Sequence, residues 1–310
     1  MIRRFTTKMA SKKEPMGSIE TLQNRVLEIF GMKDVCLFDV DANYTNETLR
    51  RDVDDLLKLA REGSGVRGTI VPGSSLSDSR EALKIGQNPN VWTTVGIHPY
   101  EARSEEGIEK EMSKIRDLIK SNEDVVVAVG ECGLDYSDGF PDSKTQRMWF
   151  EPQVKLACDL KLPLFLHERN ASKDFLKILD MYKDRLPRIL VHCFTGTKDD
   201  LNEYLSRGFY VSFSGVICKS KRGQDLRNAI SETSNKTLCG RYMIETDAPY
   251  LGFSKCRVGM YKDPKRSSPN VSSALPLVAL ALSKCLEVTP LEVAKSSTLT
   301  AEKFFGVKIQ

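Results

Sequence analysis

Histidine is scarce in this chain, with three in 310 residues. Cysteine is more frequent, with eight, yet no two form a CxxC pair. Their irregular spacing in a long chain excludes the disulfide framework of a small secreted domain. Cys36 and Cys193 fall in or beside apolar runs, where a free thiol packs as a small hydrophobe. The expectation is a reduced protein of the cell interior, in cytoplasm or nucleus. No apolar run approaches the ~20 residues that span a bilayer, so no membrane partner is expected. No low-complexity tract or internal repeat beyond a strand–helix rhythm is present. Helix-turn-helix and zinc-finger patterns are also missing, which excludes the usual means of reading a base sequence. Residues 1–13, MIRRFTTKMASKK, contain no acid and five bases. That composition also suits a mitochondrial transit peptide, and residues 1–33 read as an extension, disordered or targeting. The net charge of +4 allows an anionic substrate and excludes little.

Eight short, nearly continuous β-branched and aliphatic runs are present: VCLFDV (35–40), VRGTIVP (66–72), VWTTVGI (91–97), VVVAVG (125–130), LPLFLH (162–167), RILVHC (188–193), FYVSFS (209–214) and RYMIE (241–245). Runs without strict alternation suit parallel strands buried on both faces. Amphipathic segments predict helices over 46–61, 108–122, 144–160, 173–182 and 198–206, with a final pair over 273–286 and 290–305. Strand starts fall roughly 20 to 40 residues apart, as repeated βα units require. The pattern predicts an α/β fold, a (β/α)8 TIM barrel, as one domain over 34–310, and the polar residues at the strand ends make it one of the metal-dependent hydrolase type.

Polar side chains able to bind metal recur at the ends of these runs. They are Asp39 and Asp41, His98, Glu131, His167, His192 and Asp247. Each alone is unspecific: a strand-end histidine is often merely hydrogen-bonded, and an aspartate before Ala-Pro can be a turn former. Together they would converge on the C-terminal mouth of the barrel, where such folds carry their active sites. Mixed imidazole and carboxylate ligation suits Zn²⁺ and Mn²⁺, and carboxylate-rich sites accept Mg²⁺. Arg169, two residues after His167, reads either as a phosphate clamp or as an ion-pair partner of Glu131 or Asp135.

Four strings carry more information: GIHP (96–99), GECGLD (130–135), HCFTG (192–196) and ETDAPYL (245–251). In that order and spacing they resemble the TatD family of metal-dependent deoxyribonucleases, with animal members linked to apoptotic DNA degradation the nearest in look. The resemblance covers about Leu37 to Leu251. It implies one or two divalent ions per chain, held by Glu131, His167, His192 and Asp247, with Asp247 also the general base. His98 would orient a phosphate or donate to the leaving oxygen, or be a satisfied mouth histidine. One departure stands out. Where many members carry HxH on strand one, this chain has Asp41 and Asn43. Oxygen ligands there, with Asp39, would favour Mg²⁺ or Mn²⁺ over Zn²⁺, or the two are turn residues and one ion remains.

DNA as substrate follows from the resemblance, cleaved as by a 3′–5′ exonuclease acting on single strands or 3′ ends in DNA degradation or repair. Lys219, Lys221 and Arg222, and Lys255, Arg257, Lys262, Lys265 and Arg266, would track phosphates or form solvated faces. Tyr136, Phe140, Phe194, Tyr250 and Phe253 would stack bases. A monomer is expected, alone or among other nucleases of a DNA-degrading complex. Two rivals remain. One is a barrel hydrolase of small amides, esters or aminoacyl-RNA, though that group often bridges its metals with a strand-four lysine where Glu131 stands. The other is a catalytically weakened scaffold in a nuclease assembly.

Overall fold

A computed structural model of the chain describes residues 18–103, 107–257 and 269–310. Within them eight strands form one sheet: β1 (Leu37–Asp39), β2 (Val66–Val71), β3 (Val91–Val95), β4 (Val126–Asp135), β5 (Leu164–Arg169), β6 (Ile189–Val191), β7 (Tyr210–Phe213) and β8 (Tyr242–Ile244). They lie in sequence order, each parallel to the next. The two edges meet: Val40 N–H donates to Ile244 O at 3.3 Å, and Ala42 bridges Ala248. The sheet thereby curls into a nearly closed (β/α)8 barrel.

The helices are α1 (Ile19–Phe30), α2 (Val53–Ser64), α3 (Leu76–Ile85), α4 (Ile108–Lys120), α5 (Ser143–Leu160), α6 (Ser172–Asp180), α7 (Lys198–Ser206), α8 (Gln224–Ser231), α9 (Asn235–Leu238), α10 (Leu275–Leu286) and α11 (Pro290–Phe305). Local sequence fixes several starts. Thr197 with Asp200 opens α7 as a capping box, and Thr289 with Glu292 does the same for α11, with Pro290 in its first turn. Phe38, Val40, Phe165, Leu190 and Met243 fill the barrel interior. Phe304 and Phe305 of α11 join that cluster, and the tail reaches Asn90, just before β3, so the end opposite the strands' C-termini is plugged. No single helix among the described residues is long and apolar enough to cross a membrane.

Three differences from the sequence reading have physical causes. Residues 19–30, assigned above to the extension, form α1, which buries Leu22, Val26 and Phe30 and packs on α2. Ile19, Leu22, Val26, Ile29 and Phe30 recur at helical spacing behind a Ser18 cap, and burying the three innermost contributes roughly 1.5–3 kcal/mol each. The basic segment 1–13 lies outside the described residues. The second helix starts at Val53, not residue 46, because Asn46 turns back to accept from Thr48 N–H and Asn43 O receives Asn46 N–H. Finally, β4 runs past the expected residue 130 to Asp135, since Cys132–Asp135 pair with Leu166–Arg169. A register shift between Val129 and Cys132 interrupts the pairing at Glu131, an irregularity of the kind that re-aims side chains beside active sites. Gly133, at φ +143, permits the closeness of the two strands: a Cβ there would lie 1.9 Å from His167 O.

Candidate metal centre

Glu131 is the hub of the mouth. Its Oε1 lies 2.7 Å from His192 Nε2, 3.1 Å from His167 Nδ1 and 3.3 Å from His98 Nε2. Three strand ends and a bulged fourth thus bring all three histidines of the chain onto one carboxylate oxygen. Burial opposes the ionised form of Glu131, but the facing imidazoles of His98 and His192 hold its carboxyl well below the usual carboxylate range.

The outer nitrogens separate the histidines by role. Nε2 of His167 is 2.9 Å from Asp135 Oδ2. A neutral imidazole that donates there keeps an unshared pair on Nδ1, which faces Glu131. That is the arrangement in which a carboxylate fixes a metal-ligating tautomer. His98 is the reverse. Its Nδ1 accepts the N–H of Tyr100 at 3.1 Å, so the proton of the neutral ring sits on Nε2, facing Glu131. By distance His98, Glu131 and His167 form one candidate ligand group, and Asp41, Glu131 and His192 another. By tautomer, His98 presents a hydrogen-bond donor to the site, and His167 a lone pair that a cation could use.

Asp135 was part of a quoted string but not among the expected site residues. Burial would raise its carboxyl, but bonds from His167 and from Ser137 outweigh this and set it at about 2. Asp135→Ala is expected to weaken Mn²⁺ affinity roughly 10- to 100-fold, the cost of an outer-shell partner. Asp135→Asn, whose amide oxygen still accepts, should lose less. Calorimetric titration with Mn²⁺ checks this, and unchanged affinity in the alanine variant would remove Asp135 from the account.

The first strand supplies two side chains of different use. Asp41 Oδ2 is 3.0 Å from His192 Nδ1, while Oδ1 accepts from Asn43 Nδ2 at 2.9 Å. Asn43 also donates to Asp247 Oδ1 at 3.1 Å, tying the ends of β1 and β8 together. Asp39 is placed elsewhere, which corrects its assignment as a ligand. Its Oδ2 accepts from Thr246 Oγ1 at 2.6 Å and Oδ1 from Thr246 N–H at 2.8 Å, away from the histidines. The strand ends at Asp39 and bends at Val40, so Asp39 and Asp41 need not share a face. Asp39 is a clasp between β1 and β8. Asp247, a residue after that clasp, lines the mouth but falls outside both ligand groups. Burial, then the neighbouring Glu245, pushes its carboxyl up to about 8. Glu245, also unanticipated, is fully buried, accepts from Ser212 Oγ at 2.7 Å and brings Oε1 to 3.6 Å from His192 Nδ1.

These atoms fit a cation. Asp41 Oδ2, His192 Nδ1 and Glu245 Oε1 are all buried without a hydrogen bond, though they face one another. Buried polar groups are seldom left so, unless a site needs them. The donor set of imidazoles and carboxylates is that of a divalent-metal centre. Burial lowers the pKa of both His167 and His192, yet the surrounding carboxylates raise both above the ordinary imidazole value, His192 well above. An incoming ion must displace those protons. Affinity should therefore still rise with pH above about 7.5, where a free imidazole, half-titrated near about 6.5, would already have levelled off, with proton release on binding. Titrations in buffers of different ionisation enthalpy measure that release, and a flat profile above about pH 7.5 would contradict the charged cluster.

The mouth opens into a cleft of about 1450 Å³. Arg169, Lys219 and Arg222 line it. Among the described residues, no ion pair or hydrogen bond engages the exposed Arg169 side chain, so the alternative of an ion pair with Glu131 or Asp135 is not realised. Tyr136 does not line the cleft: its hydroxyl donates to Asp174 at 2.7 Å and accepts from Arg147 at 3.2 Å. Phe194 and Phe253 are buried in the core, Phe194 against Phe213 of β7 and Phe253 against Gly215. Of the aromatics expected at the mouth, Phe140 and Tyr250 are there, joined by the unanticipated Tyr100. Lys262, Lys265 and Arg266 lie outside the described residues.

A parallel βα barrel with buried histidines and carboxylates gathered at the C-terminal ends of its strands defines a metal-dependent hydrolase. The particular family follows from comparison. The chain belongs to the TatD related DNase family, whose model matches residues 38–306. It is similar to the 3′-5′ ssDNA/RNA exonuclease TatD of Citrobacter rodentium, 34% identical over 279 residues, 88% of this chain and 99% of that protein. The protein of the same name from Escherichia coli K12 is 35% identical over 216 residues, 69% of this chain and 80% of its own length. Among solved structures, a TatD homologue from Escherichia coli K12 superposes with a TM-score of 0.75 at 22% identity, covering 88% of this chain and 98% of that one. A TatD family hydrolase from Entamoeba histolytica gives 0.74 at 24% identity, with 87% and 98% covered. These two share the fold.

Proposed function

We propose that this chain hydrolyses phosphodiester bonds of single-stranded nucleic acid, DNA above all, removing nucleotides from the 3′ end. The observation that carries the reading is the hub at Glu131: one ionised, buried carboxylate with a ligating imidazole on one side and a donating imidazole on another. The names borne by the curated relatives support the strand preference and the polarity. Arg169, Lys219 and Arg222 at the rim, in no ion pair among the described residues, support a polyanionic substrate.

Glu131, His167, His192 and Asp41 would hold the metal, with Glu131 shared between the two ligand groups and so placed to bridge two ions. Mg²⁺ or Mn²⁺ is the fitting choice, because Asp41 offers oxygen where many relatives carry histidine, and Mn²⁺ also accepts imidazole. A divalent ion bound there supplies Lewis acidity and a nucleophile at neutral pH. The protein's own part is positional and protonic. His98 Nε2–H is aimed into the site and can donate to a phosphoryl or leaving oxygen. Asp247, pushed up to about 8 by burial and then Glu245, holds its proton at neutral pH; beside a bound cation that value would fall, and the carboxylate, bonded by Asn43, would be free to take up a proton. Arg169 can engage a phosphate from the rim.

Purified protein should be offered short single-stranded DNA and RNA beside a panel of amide, ester and aminoacyl-RNA substrates, with EDTA, Mg²⁺, Mn²⁺ or Zn²⁺. Ion-dependent release of nucleotides alone is the expected result. Turnover of an amide or ester with oligonucleotides untouched would overturn the nuclease reading.

A further inference from the structure

Two aromatic rings stand at the mouth without any part in the metal chemistry. Tyr100 is 53% exposed and Phe140 half-buried, and both line the cleft. Their centroids are 5.6 Å apart with planes at 81°, so the pair forms a corner presenting one ring's face and the other's edge. An exposed tyrosine set edge-on to a phenylalanine buries little, so packing alone gives no reason for the arrangement. The corner is also fastened to the site. Tyr100 N–H donates to His98 Nδ1, and the Phe140 ring lies 6.1 Å from the His98 ring.

The rest of the mouth is arranged to complement it. Tyr100 follows β3 and Phe140 follows β4, whereas Lys219 and Arg222 follow β7. In an eight-stranded barrel with strands in sequence order, β3 and β7 lie across the mouth from one another. One wall therefore carries the aromatic pair, with His98 and Glu131 on the same side at β3 and β4, and the opposite wall carries Lys219 and Arg222 beside Asp225. A strand lying in such a cleft can set its phosphates toward Lys219 and Arg222 and turn a nucleobase to the aromatic wall. A paired base is held by its partner, so only an unpaired one is free to turn.

We infer that Tyr100 and Phe140 form a stacking corner for the nucleobase next to the phosphate that His98 orients beside the Glu131 metal centre, and so determine the preference for an unpaired 3′-terminal nucleotide. This deepens the reading of the site given above and rests on it. Stacking on aromatic faces tolerates any base, so the corner selects strandedness and not sequence.

The test compares two single-stranded DNA oligonucleotides, alike except that one ends in a normal 3′ nucleotide and the other in an abasic one. The wild type, Tyr100→Ala, Phe140→Ala and the conservative Tyr100→Phe and Phe140→Tyr are assayed with Mn²⁺. The corner predicts that the wild type prefers the normal end by roughly 5- to 150-fold in kcat/KM, the range for stacking one base. Each alanine variant should lose much of that preference by a higher KM for the normal end, with the abasic end unaffected and kcat nearly kept. The conservative variants should retain it. Equal use of both ends by the wild type would overturn the corner while leaving the nuclease reading intact. So would alanine variants that slow both substrates alike, the mark of a structural role. Cleavage of neither oligonucleotide by the wild type would instead overturn the nuclease reading, and the corner with it.

Discussion

Glu131→Gln is expected to lose turnover and bound ion together. Among the described residues the carboxylate is the sole anion touched by all three imidazoles, and it belongs to both candidate ligand groups. An amide of the same shape removes the charge without opening a cavity, so the fold should survive. The loss of ion affinity should exceed the roughly 10- to 100-fold cost of removing an outer-shell partner, because Glu131 contacts the ion site directly. Turnover should fall at least as far. Metal content after dialysis, measured beside nucleotide release, checks both quantities. A variant that kept its ions and its rate would place the chemistry elsewhere.

His98→Ala is expected to separate the same two quantities. If Nε2 carries the proton, as the bond from Tyr100 N–H to Nδ1 requires of the neutral ring, His98 donates and does not ligate. Removing a positioned proton donor costs roughly 10²–10⁴ in kcat. Ion affinity should then stay within a few-fold of wild type. A parallel collapse of ion affinity and kcat would return His98 to the ligand set, where distance alone would put it. His167→Ala is the matched control, since its Nδ1 is free to ligate and its loss should lower both.

The barrel was legible because strands buried on both faces must be continuous apolar runs, and eight of them stood at regular spacing. The gathering of candidate ligands at the mouth was legible for a related reason. A polar side chain directly after such a run has one place to go, the C-terminal mouth, and His167, His192 and Glu131 all went there. Asp39 was misplaced by the same reasoning, since a strand end does not say which face a side chain takes once the chain bends at Val40. Asp135 and Glu245 lay within quoted strings, but their importance is relational. Asp135 matters through the nitrogen of His167 that it holds, and Glu245 through its approach to His192, and neither pairing has a sequence signature. Tyr136 showed the limit of loop chemistry, since its hydroxyl is taken by Asp174 and Arg147 of neighbouring helices. The helix α1 carries a helical apolar period and a Ser18 cap of its own, and its assignment to the extension reflects its position next to the basic segment 1–13.

The most direct test of the account is digestion of single-stranded DNA labelled at the 3′ or the 5′ end, with Mg²⁺ or Mn²⁺, by the wild type and by Glu131→Gln. The account predicts that the 3′ label is released first, that the 5′-labelled strand shortens progressively, and that Glu131→Gln and added EDTA each abolish both. Release that persists in Glu131→Gln, or that ignores EDTA, would contradict a metal-dependent nuclease centred on Glu131.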